Sequence, residues 1–151
     1  MKIQVSTGYA LRILQYFYKA KEDVITAKEM SEQINVSYLY ITKLLAKLRN
    51  GGLVESKQGC YGGYQLAKKP CEISVFDVYF VMEENRPFYE AQTDMDDQYG
   101  DRYIKKYFDQ IESMIIYSMR STTLVDLFEP EKEFVKKFES QNPGQFEFKI
   151  N

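Results

Sequence analysis

The stretch LRNGGLVESKQGCYGGYQLAKK, residues 48–69, leaves a helical pattern through a double glycine and runs out as a short apolar strand. It then turns on a glycine-rich tip that carries a cysteine and returns through Tyr64 and Leu66. Gly51 and Gly52 stop the helix, because one of them can take the left-handed backbone that ends helices without a Cβ penalty. LVESK and YQLAK read as two strands, and Gly59, Gly62 and Gly63 let the tip turn tightly. The stretch predicts a basic, glycine-tipped ribbon placed directly after a helix.

Upstream, Ser37 can cap that helix, which runs to about Asn50 with Ile41, Leu44, Leu45 and Leu48 as its buried stripe. Before it, Thr26 followed three residues later by Glu29 reads as a capping box opening a short helix through Ile34. Two short helices separated by Asn35 and Val36 fit a helix-turn-helix. Earlier still, Ala10, Ile13, Leu14 and Phe17 form one buried stripe on a helix over 9–20, and KEDVI breaks that pattern. Helix, helix, basic helix and ribbon make a winged helix-turn-helix, mainly α with a small β-hairpin wing.

The outward face of the third helix carries Ser37, Tyr40, Lys43 and Lys47, with Tyr38 and Thr42 at its edges. These groups hydrogen-bond or carry positive charge, and they are long enough to reach phosphates and base edges in a major groove. An ordinary solvated face has a similar composition, so the helix alone does not decide. The wing does, since it would lie along the adjacent backbone or minor groove with Lys57 outside it. Thr26 and Lys28, at the start of the second helix, join the candidate DNA-binding set.

Composition bounds the alternatives. With 151 residues, 44% of them apolar and 15% aromatic, the chain can bury a real core in one modest domain, or in a small domain with a dimerisation element. It has no run of eighteen apolar residues, and MKIQVSTGYA lacks a signal-peptide core, so a cytoplasmic protein with no membrane partner is expected. Histidine is absent, which removes the commonest general base and every His-ligated zinc site. Two cysteines cannot make a four-thiolate cluster within one chain, and no phosphate-binding loop is present. The expectation is no enzyme, no catalytic residue, no metal and no cofactor.

The net charge of −2 hides an asymmetry: residues 1–70 hold 11 Lys/Arg against 5 Asp/Glu, while residues 71–151 hold 9 against 17. A basic lobe joined to an acidic one is the layout expected when one end meets nucleic acid.

MKIQVSTGYAL, the VSYLYITKLLAKLRNGGLVES run, the QGCYGGYQLAK wing and the later STTLVDL together resemble the Rrf2 family of bacterial transcriptional regulators, from Met1 to about Phe128. The resemblance implies a homodimer on a pseudo-palindromic operator, usually as a repressor, with double-stranded DNA and a second copy as partners. It implies DNA contacts from Tyr9, from Ser37, Tyr40, Thr42 and Lys43 on the recognition helix, and from Lys57, Gln58 and Tyr61 on the wing. Two positions depart from the family's pattern. Thr42-Lys43 stands where Glu-Gln is frequent, and Gln58 where an arginine would enter a narrow minor groove.

Many family members carry three cysteines in the segment equivalent to 86–101 and bind an iron–sulfur cluster; this chain has none there. Gly8 lies near a position where some relatives supply a carboxylate ligand. Glu90, Asp94, Asp96, Asp97 and Asp101 fail as an EF-hand, because Tyr99 and Lys105 occupy the glycine and bidentate-glutamate positions. Cys60, on the wing tip, is a candidate redox thiol: Lys57, Lys68 and Lys69 are near in sequence, and a disulfide to Cys71 is conceivable. Unreactive reduced thiols are the plainer reading.

Ser74 caps a helix that packs Val75, Val78, Tyr79 and Met82. From Tyr103, one apolar stripe (Ile104, Phe108, Ile111, Ile115) runs beside another (Tyr103, Tyr107, Met114, Tyr117). So wide a face needs two covering surfaces, one from its own domain and one from a second copy. STTLVDLF reads as a closing helix capped by Ser121. The layout is thus 1–84 for DNA binding, 85–128 for the acidic loop and dimerisation helices, and 129–151 as an extension. EKEFVKKFES there reads as an amphipathic helix and QFEFKIN as an edge strand or a loose tail. Regulation could come from a small molecule in an aromatic-lined space beside the long helix, a protein effector, or thiol chemistry at Cys60. The rival is a winged-helix interaction module without specific DNA binding.

Overall fold

The computed structural model describes residues 3–21, 24–83 and 101–129, with the side chains of 101 and 102 left aside. The acidic residues 90–97 and the extension beyond 129 lie outside the described residues. The order is α1 (Val5–Ala20), α2 (Ala27–Ile34), α3 (Tyr38–Asn50), β1 (Val54–Lys57), β2 (Gly63–Leu66), α4 (Val75–Met82), α5 (Asp101–Ser121) and α6 (Leu124–Phe128). A short 3-10 turn over Pro70–Glu72, not anticipated from the sequence, joins the wing to α4.

The predicted stripes form the core. Ala10, Ile13, Leu14 and Phe17 of α1 are buried with Ile41, Leu44, Leu45 and Leu48 of α3, and Met30, Leu53, Ile73, Val78, Met82 and Leu124 close around them. Val75 is half-buried at the edge. Gly51 keeps helical backbone, and its lack of a side chain serves packing: a Cβ there would stand 2.3 Å from Cγ2 of Val81, so α3 and α4 meet at a bare backbone. Gly52 supplies the left-handed turn, with φ +69°.

The wing pairs antiparallel, with Val54 opposite Leu66 and Lys57 opposite Gly63. Ile25, the last residue of the KEDVI stretch that reads as a mere break, gives it a third member. Ile25 exchanges backbone bonds with Tyr64 at 2.9 and 2.8 Å, tying the wing to the start of α2. Gly63 permits this approach, since a Cβ there would lie 2.6 Å from the Ile25 carbonyl oxygen.

Caps hold the helix starts. Thr26 accepts from the Glu29 amide, but the box is half formed: the Glu29 carboxylate accepts from the Tyr16 hydroxyl at 3.1 Å instead. Burial, with Glu29 beside it, pushes the Tyr16 phenol up. Ser74 and Asp77 complete a full box on α4. Ser121 does not cap α6. It is the last residue of α5, its hydroxyl donating to the Tyr117 carbonyl, and Thr123 with Asp126 forms the box two residues later. The starts of α4 and α6 are joined by Val75 N–H to Thr122 O and Leu124 N–H to Ile73 O, both 2.9 Å.

The far end of α4 reaches back to the beginning of the chain. Glu83, 5% exposed, accepts from the Gln4 amide at 2.9 Å and the Thr7 hydroxyl at 2.5 Å. A carboxylate from 79 residues away thus caps α1, whose own N-cap side chain makes no capping bond. α5 packs on α4, with the Arg120 guanidinium 4.4 Å from the Phe76 ring centroid. Among the described residues no helix is long and apolar enough to cross a membrane.

Candidate nucleic-acid interface

α3 projects its first turn outward because Ser37 caps it, accepting from the Tyr40 amide at 3.3 Å. With that oxygen accepting, the hydroxyl proton of Ser37 is left to donate. Tyr38, Leu39 and Lys43 are exposed beside it, and Tyr40, Thr42 and Lys47 are half-buried. The Thr42 hydroxyl donates to the Leu39 carbonyl at 2.9 Å, so toward a base or phosphate Thr42 is an acceptor unless that bond breaks.

Tyr9 joins this face from another element. Its ring meets that of Tyr40 edge-on, with centroids 5.8 Å apart, an arrangement worth about 0.5–1.5 kcal/mol. Arg12, one turn further along α1 and exposed, holds its guanidinium 5.9 Å from the Tyr9 centroid. Arg12, Tyr9 and Tyr40 therefore run as a chain from α1 to the start of α3. Sequence reading singled out Tyr9 and Tyr40 and missed Arg12, although its i+3 spacing from Tyr9 was the available signal. Thr26 and Lys28 are exposed at the start of α2, Thr26 spending its oxygen on the cap.

On the wing, Lys57 is not a free cation. Its ammonium pairs with Glu55 at 3.3 Å, and Glu55 also accepts from Gln65 at 2.5 Å. A phosphate would compete with a surface ion pair worth at most about 1 kcal/mol, so Lys57 can exchange partners at small cost. Gln58, Cys60 and Tyr61 are exposed at the tip, Tyr61 at 92%. Gly59 takes φ +116°, and a Cβ on Gly62 would sit 2.6 Å from the Lys57 carbonyl, which explains the glycine spacing.

Cys60 and Cys71 are both exposed free thiols. The hairpin carries Lys68, Lys69 and Cys71 past its base, while Cys60 stays at the tip. At about 3.3 Å per strand residue the two ends are separated by roughly 10 Å or more. Those lysines therefore do not flank Cys60, and a Cys60–Cys71 disulfide is out of reach within one wing.

The dimerisation stripes divide unevenly. Ile104 and Phe108 are exposed and Ile111 and Ile115 half-buried, whereas Tyr103, Tyr107, Met114 and Tyr117 are 61–80% exposed. The second stripe, not the first, is the barer one.

Known proteins resemble this arrangement. A family model described as Rrf2, iron-dependent transcriptional regulator, matches residues 3–130. Protein rrf2 of Nitratidesulfovibrio vulgaris is 34% identical over 85 residues, which cover 56% of this chain and 57% of that protein. The chain thus spans little more than half the length of that relative. The HTH-type transcriptional regulator CymR of Bacillus subtilis is 32% identical over 128 residues, 84% of this chain and 89% of CymR. A solved structure of that global cysteine regulator superimposes with a TM-score of 0.73 at 29% identity, covering 87% of this chain and 99% of CymR.

The family description names iron. This chain has no histidine and two cysteines, placed at opposite ends of the wing, and among the described residues no three His, Cys, Asp or Glu side chains gather. This donor set does not fit a thiolate- or imidazole-ligated iron centre.

Proposed function

Because the chain belongs to the Rrf2 family of transcriptional regulators, we propose that it is a homodimeric, sequence-specific repressor that binds a pseudo-palindromic operator in the cytoplasm. The observation that carries this reading is an exposed α3 face bearing Ser37, Tyr38 and Lys43 with a glycine-tipped wing beside it, inside the span that matches the family. In this reading residues 1–84 read DNA, 85–128 dimerise and 129–151 are an extension. Ser37, Tyr38, Thr42, Lys43 and Lys47 face the major groove; Tyr9, Arg12, Tyr40, Thr26 and Lys28 meet the flanking backbone; Lys57, Gln58 and Tyr61 follow it along the wing.

A dimer is supported by α5. The four most exposed side chains of its second stripe present on the order of 500 Å² per protomer, much of the roughly 800 Å² per partner in a standard interface. The first stripe would add to it. Two copies would set their recognition helices in successive major grooves about one helical turn, roughly 34 Å, apart. Repression is then steric exclusion of polymerase.

Regulation in this reading does not run through a cysteine-ligated cluster, since the chain lacks the thiolates. An effector must prefer one spacing of the two wings over another to change affinity. Among the described residues one open groove of about 730 Å³ runs along the surface of α5, at Tyr107, Ile111 and Met114, where the second copy would form its other wall. Another, of about 910 Å³, lies between α1 and the base of the wing, at Phe17, Tyr18, Lys21 and Leu66. The exposed thiol of Cys60 supports a second reading, in which oxidation of the wing tip weakens binding.

Lys43→Ala tests the proposal. A sequence reader loses discrimination between its operator and a scrambled duplex while keeping salt-sensitive background binding. A winged-helix interaction module shows no change on DNA.

A further inference from the structure

One well-exposed side chain of the recognition face is apolar. Leu39 is 80% exposed in the first turn of α3. Thr42 and Lys43 follow it at i+3 and i+4, so all three share one outward strip of the helix. The Thr42 hydroxyl, bonded to the Leu39 carbonyl, fixes that strip's first turn.

An exposed leucine on an arbitrary surface needs no explanation. This one stands where the N-terminal residues of a recognition helix meet base edges. A leucine pressed against guanine, adenine or cytosine edges strips water from N7, O6, N6 or N4 and gives them no partner, a cost of about 1–3 kcal/mol per group. Thymine alone offers an apolar group in the major groove, its C5-methyl. We infer that Leu39 is a specificity-determining residue that packs on a thymine methyl in each half-site, while Lys43, one turn on, hydrogen-bonds a neighbouring base edge. The inference rests on the reading of α3 as a recognition helix.

The test uses the full-length protein and a duplex recovered by selection from a random library. Each thymine is replaced in turn by deoxyuridine, which removes the methyl and leaves the base pair unchanged. One thymine per half-site should respond, with binding about fourfold weaker per lost methyl contact. Leu39→Ala should bind the unmodified duplex more weakly, show no response at that thymine, and keep any responses elsewhere. Its melting temperature should match the parent's, because the side chain is exposed. The inference is overturned if no thymine responds in the parent, or if the response persists in Leu39→Ala. If selection recovers no duplex at all, the recognition-helix reading itself fails, and this inference with it.

Discussion

Removing the Glu83 carboxylate should loosen the start of α1 from the end of α4. Its Oε1 accepts from the Gln4 amide at 2.9 Å and the Thr7 hydroxyl at 2.5 Å, with Thr7 3% and Glu83 5% exposed. Hydrogen bonds to a charged group contribute about 1.5–3 kcal/mol each, and an anion at a helix N-terminus about 0.3–1 kcal/mol more. Part of this is offset because Glu83 regains water on unfolding. The net cost expected for Glu83→Ala is about 2–4 kcal/mol, since Thr7 keeps a buried hydroxyl with no acceptor. At about 2–4 °C per kcal/mol for a chain of this size, the melting temperature falls by roughly 5–15 °C. Glu83→Gln keeps an oxygen acceptor without the charge and should cost about half as much. Thr7→Val removes the donor at nearly constant shape. Chemical denaturation of the four members of the Glu83→Ala and Thr7→Val cycle should give a coupling of at least about 1 kcal/mol. Additive costs would mean that the two side chains act independently and that the carboxylate does not clamp α1 through Thr7.

Gly51→Ala forces a Cβ to within 2.3 Å of Cγ2 and 2.8 Å of Cγ1 of Val81. A denaturant titration should show a loss of about 1–3 kcal/mol, most of it recovered when Val81 is also Ala; an unchanged cost in that background would contradict the steric account. The Thr123 hydroxyl and then its amide, at 2.6 and 2.8 Å, hold the Asp126 carboxyl below the usual carboxylate range. Its contribution is therefore complete above the unfolded value of about 4 and is lost as pH falls through the lower folded one. Melting curves from pH 5 to 2 should show a smaller acid-side loss for Asp126→Asn than for the parent; equal losses would contradict this. Tyr107→Lys with Met114→Lys places charges on the bare stripe of α5. Sedimentation equilibrium should show dimer dissociation increased by at least about 100-fold, with each protomer still folded.

Periodic burial was legible in the residues. Ile41, Leu44, Leu45 and Leu48 recur at helical spacing because one face of α3 must leave water, and the same logic placed the α1 stripe. Local capping was legible too: Thr26, Ser37 and Ser74 each accept from the amide three residues on. Ser121 was misread because three hydroxyl residues stand in a row; Asp126, three past Thr123, was the feature that separates them. What stayed hidden depends on chain segments that meet through the fold. Glu83 finds Gln4 and Thr7 from 79 and 76 residues away, Ile25 pairs with Tyr64 after an apparent break, and Arg12 reaches the candidate face through Tyr9 and Tyr40. Lys57 and Thr42 were sought as free contacts, yet Glu55 and the Leu39 carbonyl, both close in sequence, engage them. Which α5 stripe stays bare follows from how α5 lies on α4, which the spacing alone could not fix.

Two copies should read sequence together. Reduced protein at near-physiological salt, challenged with a random duplex library, tests it most directly. A dimeric reader enriches an inverted repeat whose half-site centres lie about one helical turn apart, and loses it when Lys43 is Ala. Binding that salt abolishes and that enriches no sequence would contradict it.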